Sequence, residues 1–125
     1  MNALIYEQFN PLIVAYSGFL TQRGYQVFAT KDIDEAWQGY LRDKPTLVVA
    51  KYEATTAHPA ASGMELVKKI RDEANDWRTP CLVIGCTVHR ADEIAFAALK
   101  PLAILRLSFE QSVLDTRLSD LGLPV

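Results

Sequence analysis

The chain of 125 residues lacks any apolar run approaching the ~18–20 residues that a membrane span needs. Its opening, Met1-Asn2-Ala3-Leu4-Ile5-Tyr6-Glu7, lacks a basic segment followed by a long apolar stretch, so no signal peptide is expected. Cysteine is scarce. Cys81 and Cys86 are too few for a disulfide scaffold, and their five-residue spacing points them to opposite faces of a strand. Their number fits a reducing cytoplasm, the expected compartment. An excess of one charge is also missing: 13 Lys and Arg stand against 15 Asp and Glu, a net charge of −2, which gives no electrostatic reason to expect nucleic acid or an acidic membrane as partner. There is no Gly-rich phosphate loop and no nucleophile elbow, and His58 and His89 lack metal-ligand spacing with Cys or Asp. No catalytic constellation is complete, so no enzyme activity, cofactor or metal is expected. Neither repeats nor low-complexity tracts occur. With 50 % apolar and 22 % charged residues the chain is expected to fold, at a length suited to one domain over residues 1–125.

Short apolar runs alternate with amphipathic stretches. The strand candidates are Ala3–Tyr6, Tyr25–Ala29, Leu47–Ala50, Cys81–Ile84 and Leu102–Arg106. The fully apolar Leu47-Val48-Val49-Ala50 is what a central parallel strand buried on both faces requires. Between the strands, Asn10-Pro11 predicts a helix start with Asn10 as N-cap, and Leu12, Tyr16, Phe19 and Leu20 form its stripe. Asp32 to Glu35, Ser62 to Glu65 and Ser108 to Gln111 each read as a capping box. The inward stripes predicted for the later helices are Ile33, Trp37, Tyr40 and Leu41; Met64, Val67 and Ile70; Ala91, Ile94, Ala95 and Ala98; and Val113, Leu114, Leu118 and Leu121. Trp77 is expected to pack, and Lys68, Lys69 and Arg71 to form a solvated helix face. Five βα repeats imply a doubly wound parallel sheet, with ligand sites at the carboxyl ends of its strands. Those ends carry Glu7 and Gln8, Lys51, Gly85 and Cys86, and Leu107.

On these residues the chain resembles the receiver domain of two-component response regulators. The resemblance covers nearly the whole length: Ala3 to Gln8 as the first strand and its acidic pair, Gly24 to Val27 entering strand two, Pro45 to Lys51 as the strand that ends in the phosphorylated aspartate, Ser62 to Arg71 as the start of helix three, Pro80 to Gly85 as strand four, and Leu107-Ser108-Phe109 in place of Lys-Pro-Phe. It implies a flavodoxin-like (βα)5 fold with strand order 2-1-3-4-5. It also implies phosphoryl transfer to an aspartate, assisted by acidic Mg²⁺ ligands, a hydroxyl and a lysine.

The matching positions depart from that chemistry. Lys51 stands at the phosphoacceptor, Glu7-Gln8 at the acidic pair, Gly85 at the hydroxyl, Leu107 at the lysine, and Ile104 at the aromatic switch position of strand five. The expectation is therefore a degenerate pseudo-receiver, a non-catalytic signalling module working by protein–protein contact. By resemblance its docking face comprises helix four, strand five and helix five, for a partner or a second copy, with Arg106 and Phe109 as candidate contacts. Neighbouring parallel strands lie about 4.8 Å apart, so Glu7 and Lys51 could pair across the old site; alternatively, Lys51 snorkels to water. The connection from Tyr52 to Ser62 is longer than usual for the family and is either a tolerated insertion or a partner-binding loop, with Tyr52 and His58 as candidates. Two alternatives stay open: an atypical phospho-receiver using an acceptor such as Glu53, and a small-ligand-binding flavodoxin-like domain.

Overall fold

The computed structural model describes residues 1–52, 63–86 and 88–124. Strands β1 (Asn2–Tyr6), β2 (Gln26–Thr30), β3 (Leu47–Lys51), β4 (Cys81–Gly85) and β5 (Leu102–Arg106) alternate with helices α1 (Asn10–Gln22), α2 (Ile33–Asp43), α3 (Gly63–Lys68), α4 (Arg90–Ala97) and α5 (Gln111–Asp120); α3 continues as a π-helical turn over Lys69–Glu73. All strand pairs are parallel, in the order β2-β1-β3-β4-β5. The expected (βα)5 topology is thus the observed one.

Two-residue periodicity along each strand feeds two cores. Leu4, Tyr6, Val48, Ala50, Cys81 and Val83 face one side with Tyr40, Leu66, Val67, Ile70 and Phe96 from α2, α3, its π turn and α4. Ala3, Ile5, Leu47, Val49, Leu82 and Ile84 face the other with Tyr16 and Leu20 of α1 and Leu114 and Leu118 of α5. β3, flanked by strands and covered on both faces, is buried from Leu47 to Ala50, as its uninterrupted apolar run requires.

Several local expectations change. Asn10 is already helical, and Phe9 occupies the N-cap without a side-chain cap. Asp32 does cap α2, accepting from the Asp34 and Glu35 amides, but the Glu35 carboxylate accepts from the Thr30 hydroxyl (2.8 Å), which itself accepts from the Asp32 amide. Ser62 lies outside the described residues. Ser108 caps nothing: α5 starts at Gln111 after Glu110, because Phe109 is drawn against the rings of Tyr16 and Phe19, with centroids 6.4 and 6.1 Å away. In α2, Leu41 faces water, and Ala36, Gly39 and Tyr40 turn inward. In α4 the predicted stripe is outward, with Ile94 66 % exposed; Phe96 and Leu99 are the buried side chains, since one Phe removes more apolar area from water than the alanines could. Trp77 is exposed.

The largest reversal is Arg71, which is fully buried rather than solvated. It lies one turn beyond Val67 on the inner stripe of α3 and its π turn. Its guanidinium donates to the carbonyls of Leu99 (3.0 Å), Asp76 (2.9 Å) and Pro101 (2.9 Å) and approaches the Cys81 sulfur. Lys69 is half-buried, its ammonium 4.9 Å from the ring centroid of Trp37.

Candidate functional site at the carboxyl ends of the strands

β1 and β3 are neighbours in register Tyr6↔Ala50, so the next residues of each, Glu7 and Lys51, emerge side by side. Glu7 is 3 % exposed. Its backbone amide donates to the Thr30 carbonyl, and its Oε2 accepts from the amides of Gln8 (2.7 Å) and Phe9 (3.4 Å). The Lys51 ammonium lies 3.7 Å from the same Oε2, with 15 % of its side chain exposed. That separation makes an ion pair with no direct hydrogen bond. The expected pairing of Glu7 with Lys51 is therefore present.

The end of β3 is clamped from behind. A methyl group on Gly63, the first residue of α3, would stand 2.1 Å from the Lys51 carbonyl oxygen and 2.8 Å from the Ala50 Cβ, so only glycine allows this approach. In the sequence Gly63 stands merely inside the Ser62 to Glu65 capping box. Its signal was there, a glycine at a helix start facing a strand end, but the contact partner is 12 residues away in the chain and the connection carries no pattern that reveals it.

The other strand-end residues divide. The Gln8 side-chain amide donates to the Lys31 carbonyl (3.2 Å), toward the β2–α2 turn. Gly85 is buried at the end of β4, and its carbonyl accepts from the Leu107 amide (2.9 Å). Leu107 packs into the α1/α5 core, whereas Ile104 packs into the core on the opposite face. Cys86 is exposed, and Cys81 is buried, its thiol pushed up to about 12 by burial. Tyr6, beneath Glu7, has its hydroxyl pKa raised by burial, with the charges of Asp32 and Glu7 adding to the effect and a Gln8 hydrogen bond opposing it. Among the described residues no cluster of three or more His, Cys, Asp and Glu side chains could hold a metal ion.

Of the candidate contact residues, Tyr52 turns inward (8 % exposed), Phe109 packs on α1, and Arg106 pairs with Glu93 of α4. His58 and Glu53 lie outside the described residues. A groove of about 800 Å³ runs beside the edge strand β5, with Leu102 and Ile104 in its apolar wall and Glu93, Lys100, Arg117 and Asp120 around it. Arg117 covers part of that edge by donating to the Ile104 carbonyl (3.1 Å).

These features define a receiver-like fold. The structure is similar to that of the chemotaxis protein CheY4 of Vibrio cholerae (TM-score 0.82, 18 % identity, covering 96 % of this chain and 97 % of that one). It is also similar to the BeF3-activated N-terminal receiver domain of RstA from Klebsiella pneumoniae (TM-score 0.78, 18 % identity, 95 % and 96 % covered) and to the signal receiver domain of a signal transduction histidine kinase from Syntrophus aciditrophicus (TM-score 0.77, 16 % identity, 96 % and 88 % covered). No protein-family model and no curated protein matches the sequence. No helix among the described residues is long and apolar enough to cross a membrane.

Proposed function

We propose that this chain is a receiver-like regulatory module that acts through protein–protein contact and carries no phosphoryl chemistry at the usual position. The observation that carries this reading is the Lys51 ammonium at the end of β3, 3.7 Å from the Glu7 carboxylate. An ammonium has no oxygen nucleophile and forms no acyl phosphate. Nor do the donors fit Mg²⁺, which takes a near-octahedral shell of oxygen ligands. The nearest carboxylate oxygen already accepts two backbone amides and has a cation beside it. Gly85 offers no hydroxyl and Leu107 no ammonium to follow a phosphoryl group.

The groove beside β5 supports docking on the face formed by α4, β5 and α5. Its apolar wall carries two acids, Glu93 and Asp120, and two bases, Lys100 and Arg117. Within the chain Glu93 pairs with Arg106 and Asp120 with Arg117, so the patch carries little net charge to repel its own copy, and its apolar wall beside an edge strand favours a second copy of this chain, related by a two-fold axis, as the occupant. The strand-end site is instead occupied by the Glu7–Lys51 pair, with Glu7 buried, which disfavours a small ligand there as the function.

The test combines two measurements. Amide shifts of Glu7, Lys51 and Gly85 are followed during titration with Mg²⁺ and beryllofluoride, and the intact mass is recorded after incubation with acetyl phosphate. Unchanged shifts and mass are expected. Saturable shifts, or a gain of one phosphoryl group on a carboxyl side chain such as Glu53, refute the reading. Ala97 of α4 also lines the groove and is exposed, and sedimentation of the parent and of Ala97→Glu is expected to show a concentration-dependent dimer in the parent alone. A parent monomeric at all concentrations refutes self-docking and leaves a different protein as the occupant.

A further inference from the structure

α4 forms one wall of the groove, yet among the described residues few side chains hold it to the rest of the chain. Phe96 is its one buried residue among those described. Three side-chain attachments of the helix stand out. The Phe96 ring meets the Tyr52 ring edge-on, with centroids 6.2 Å apart. The Asp92 carboxylate accepts from the Tyr52 hydroxyl, and Glu93 pairs with Arg106 at the surface. The Tyr52 hydroxyl also accepts from the His89 amide (3.3 Å), at the residue that caps α4, and the His89 ring lies edge-on to Tyr52 at 6.4 Å. Asp92 and Phe96 stand four residues apart, so one face of the helix presents both to this tyrosine.

Tyr52 is also the residue after Lys51. Its amide donates to the Ile84 carbonyl (2.8 Å), which extends the β3–β4 ladder one step beyond Lys51↔Ile84. Its backbone is thus fixed to the sheet at the Glu7–Lys51 site, and its side chain is fixed to α4.

We propose that Tyr52 is a latch, a positioning residue that ties the first turn of α4 to the end of β3 and transmits the state of the Glu7–Lys51 pair to the wall of the groove. The positions aligned with the family's hydroxyl and aromatic switch are Gly85 and Ile104, which have no polar group to connect site and helix. Tyr52 supplies a connection through its hydroxyl and ring together. The consequence for docking rests on the reading above; the mechanical coupling does not.

Native-state amide exchange tests it on the full chain. Tyr52→Phe keeps the ring in the core and removes only the hydroxyl. A hydroxyl bond to a carboxylate is strong enough that the amides of Ile94 to Ala98 are expected to exchange about tenfold or more faster, with the amides of β1 and β3 unchanged. Asp92→Ala, at a half-exposed helix position, is expected to have the same local effect, and the double variant no larger one. Lys51→Ala is expected to speed α4 exchange in the parent and to add nothing in the Tyr52→Phe background. α4 exchange within twofold of the parent in both single variants overturns the latch, as does a multiplied effect in the double variant. A Lys51→Ala effect that is absent, or equal in both backgrounds, overturns the coupling. Because these readouts need neither phosphoryl transfer nor a dimer, failure of the proposed function leaves them standing, and their failure leaves it standing.

Discussion

Replacing Lys51 with Met keeps most of the side-chain volume and removes the cation. Two unit charges 3.7 Å apart attract by about 4–5 kcal/mol at an effective dielectric constant near 20. Desolvation of both groups offsets much of that, so the intact pair contributes little net stability. Removing one partner is different. Among the described residues, the Glu7 carboxylate would remain buried with the Gln8 and Phe9 amides alone to hold its charge. Breaking a buried pair costs ~3–5 kcal/mol; the partial exposure of Lys51 and the lack of a direct hydrogen bond reduce this to about 2–3 kcal/mol. Glu7→Gln, which keeps an oxygen acceptor for the Gln8 amide, is expected to cost less. Lys51→Met in the Glu7→Gln background should then cost about 1–2 kcal/mol less than in the parent, because no buried charge is left behind. Urea unfolding of the four proteins measures this directly. Costs that add within about 0.5 kcal/mol would refute the pair and leave Lys51 as a solvated strand-end residue.

Arg71→Met would take the guanidinium donor from the carbonyls of Leu99 and Asp76 and one of two donors from that of Pro101, which keeps the Cys81 amide, and urea unfolding is expected to show a loss of about 2–4 kcal/mol, against which a loss below about 1 kcal/mol would count. Burial pushes the Asp76 carboxyl up, but hydrogen bonds from the Thr79 and Tyr40 hydroxyls and from the Arg78 and Thr79 amides outweigh it and hold the carboxyl well below the usual carboxylate range. A folded-state pKa below the unfolded one stabilises above the unfolded value, about 3.9, and that stabilisation disappears as pH falls toward the folded value. The stability gap between the parent and Asp76→Asn should therefore be full at pH 6 and narrow steadily below about pH 4 in thermal melts. A thiol reagent at pH 7.5 is expected to label Cys86 in the native protein and Cys81 only after unfolding, since burial pushes the Cys81 thiol up to about 12.

Most of the fold was legible in the chain because it is written in local patterns. Alternating apolar runs and amphipathic stretches specify five βα units, and the unbroken Leu47–Ala50 run marks the central strand that β1 and β4 enclose. The site positions were legible too, because strand ends are where the apolar runs stop, and the closeness of Glu7 to Lys51 follows from the adjacency of β1 and β3. What failed were choices among equally periodic faces. α4 has apolar residues on two sides, and only the position of Tyr52 and the sheet selects Phe96 over Ile94.

The sequence alone determined the order of the elements, the full burial of the central strand, and the cation at the end of β3, since these depend on neighbours within a few residues. The tertiary structure decided the rest. Arg71 can be buried only because the carbonyls of Leu99 and Pro101, from a turn 28 and 30 residues away, join the nearby Asp76 carbonyl around it, Gly63 is required only because α3 meets β3, and Tyr52 reaches Asp92 only across the space between a strand and a helix. The roles that sequence could not show belong to polar side chains whose deciding partners lie far away along the chain: Arg71 with Leu99 and Pro101, Tyr52 with Asp92.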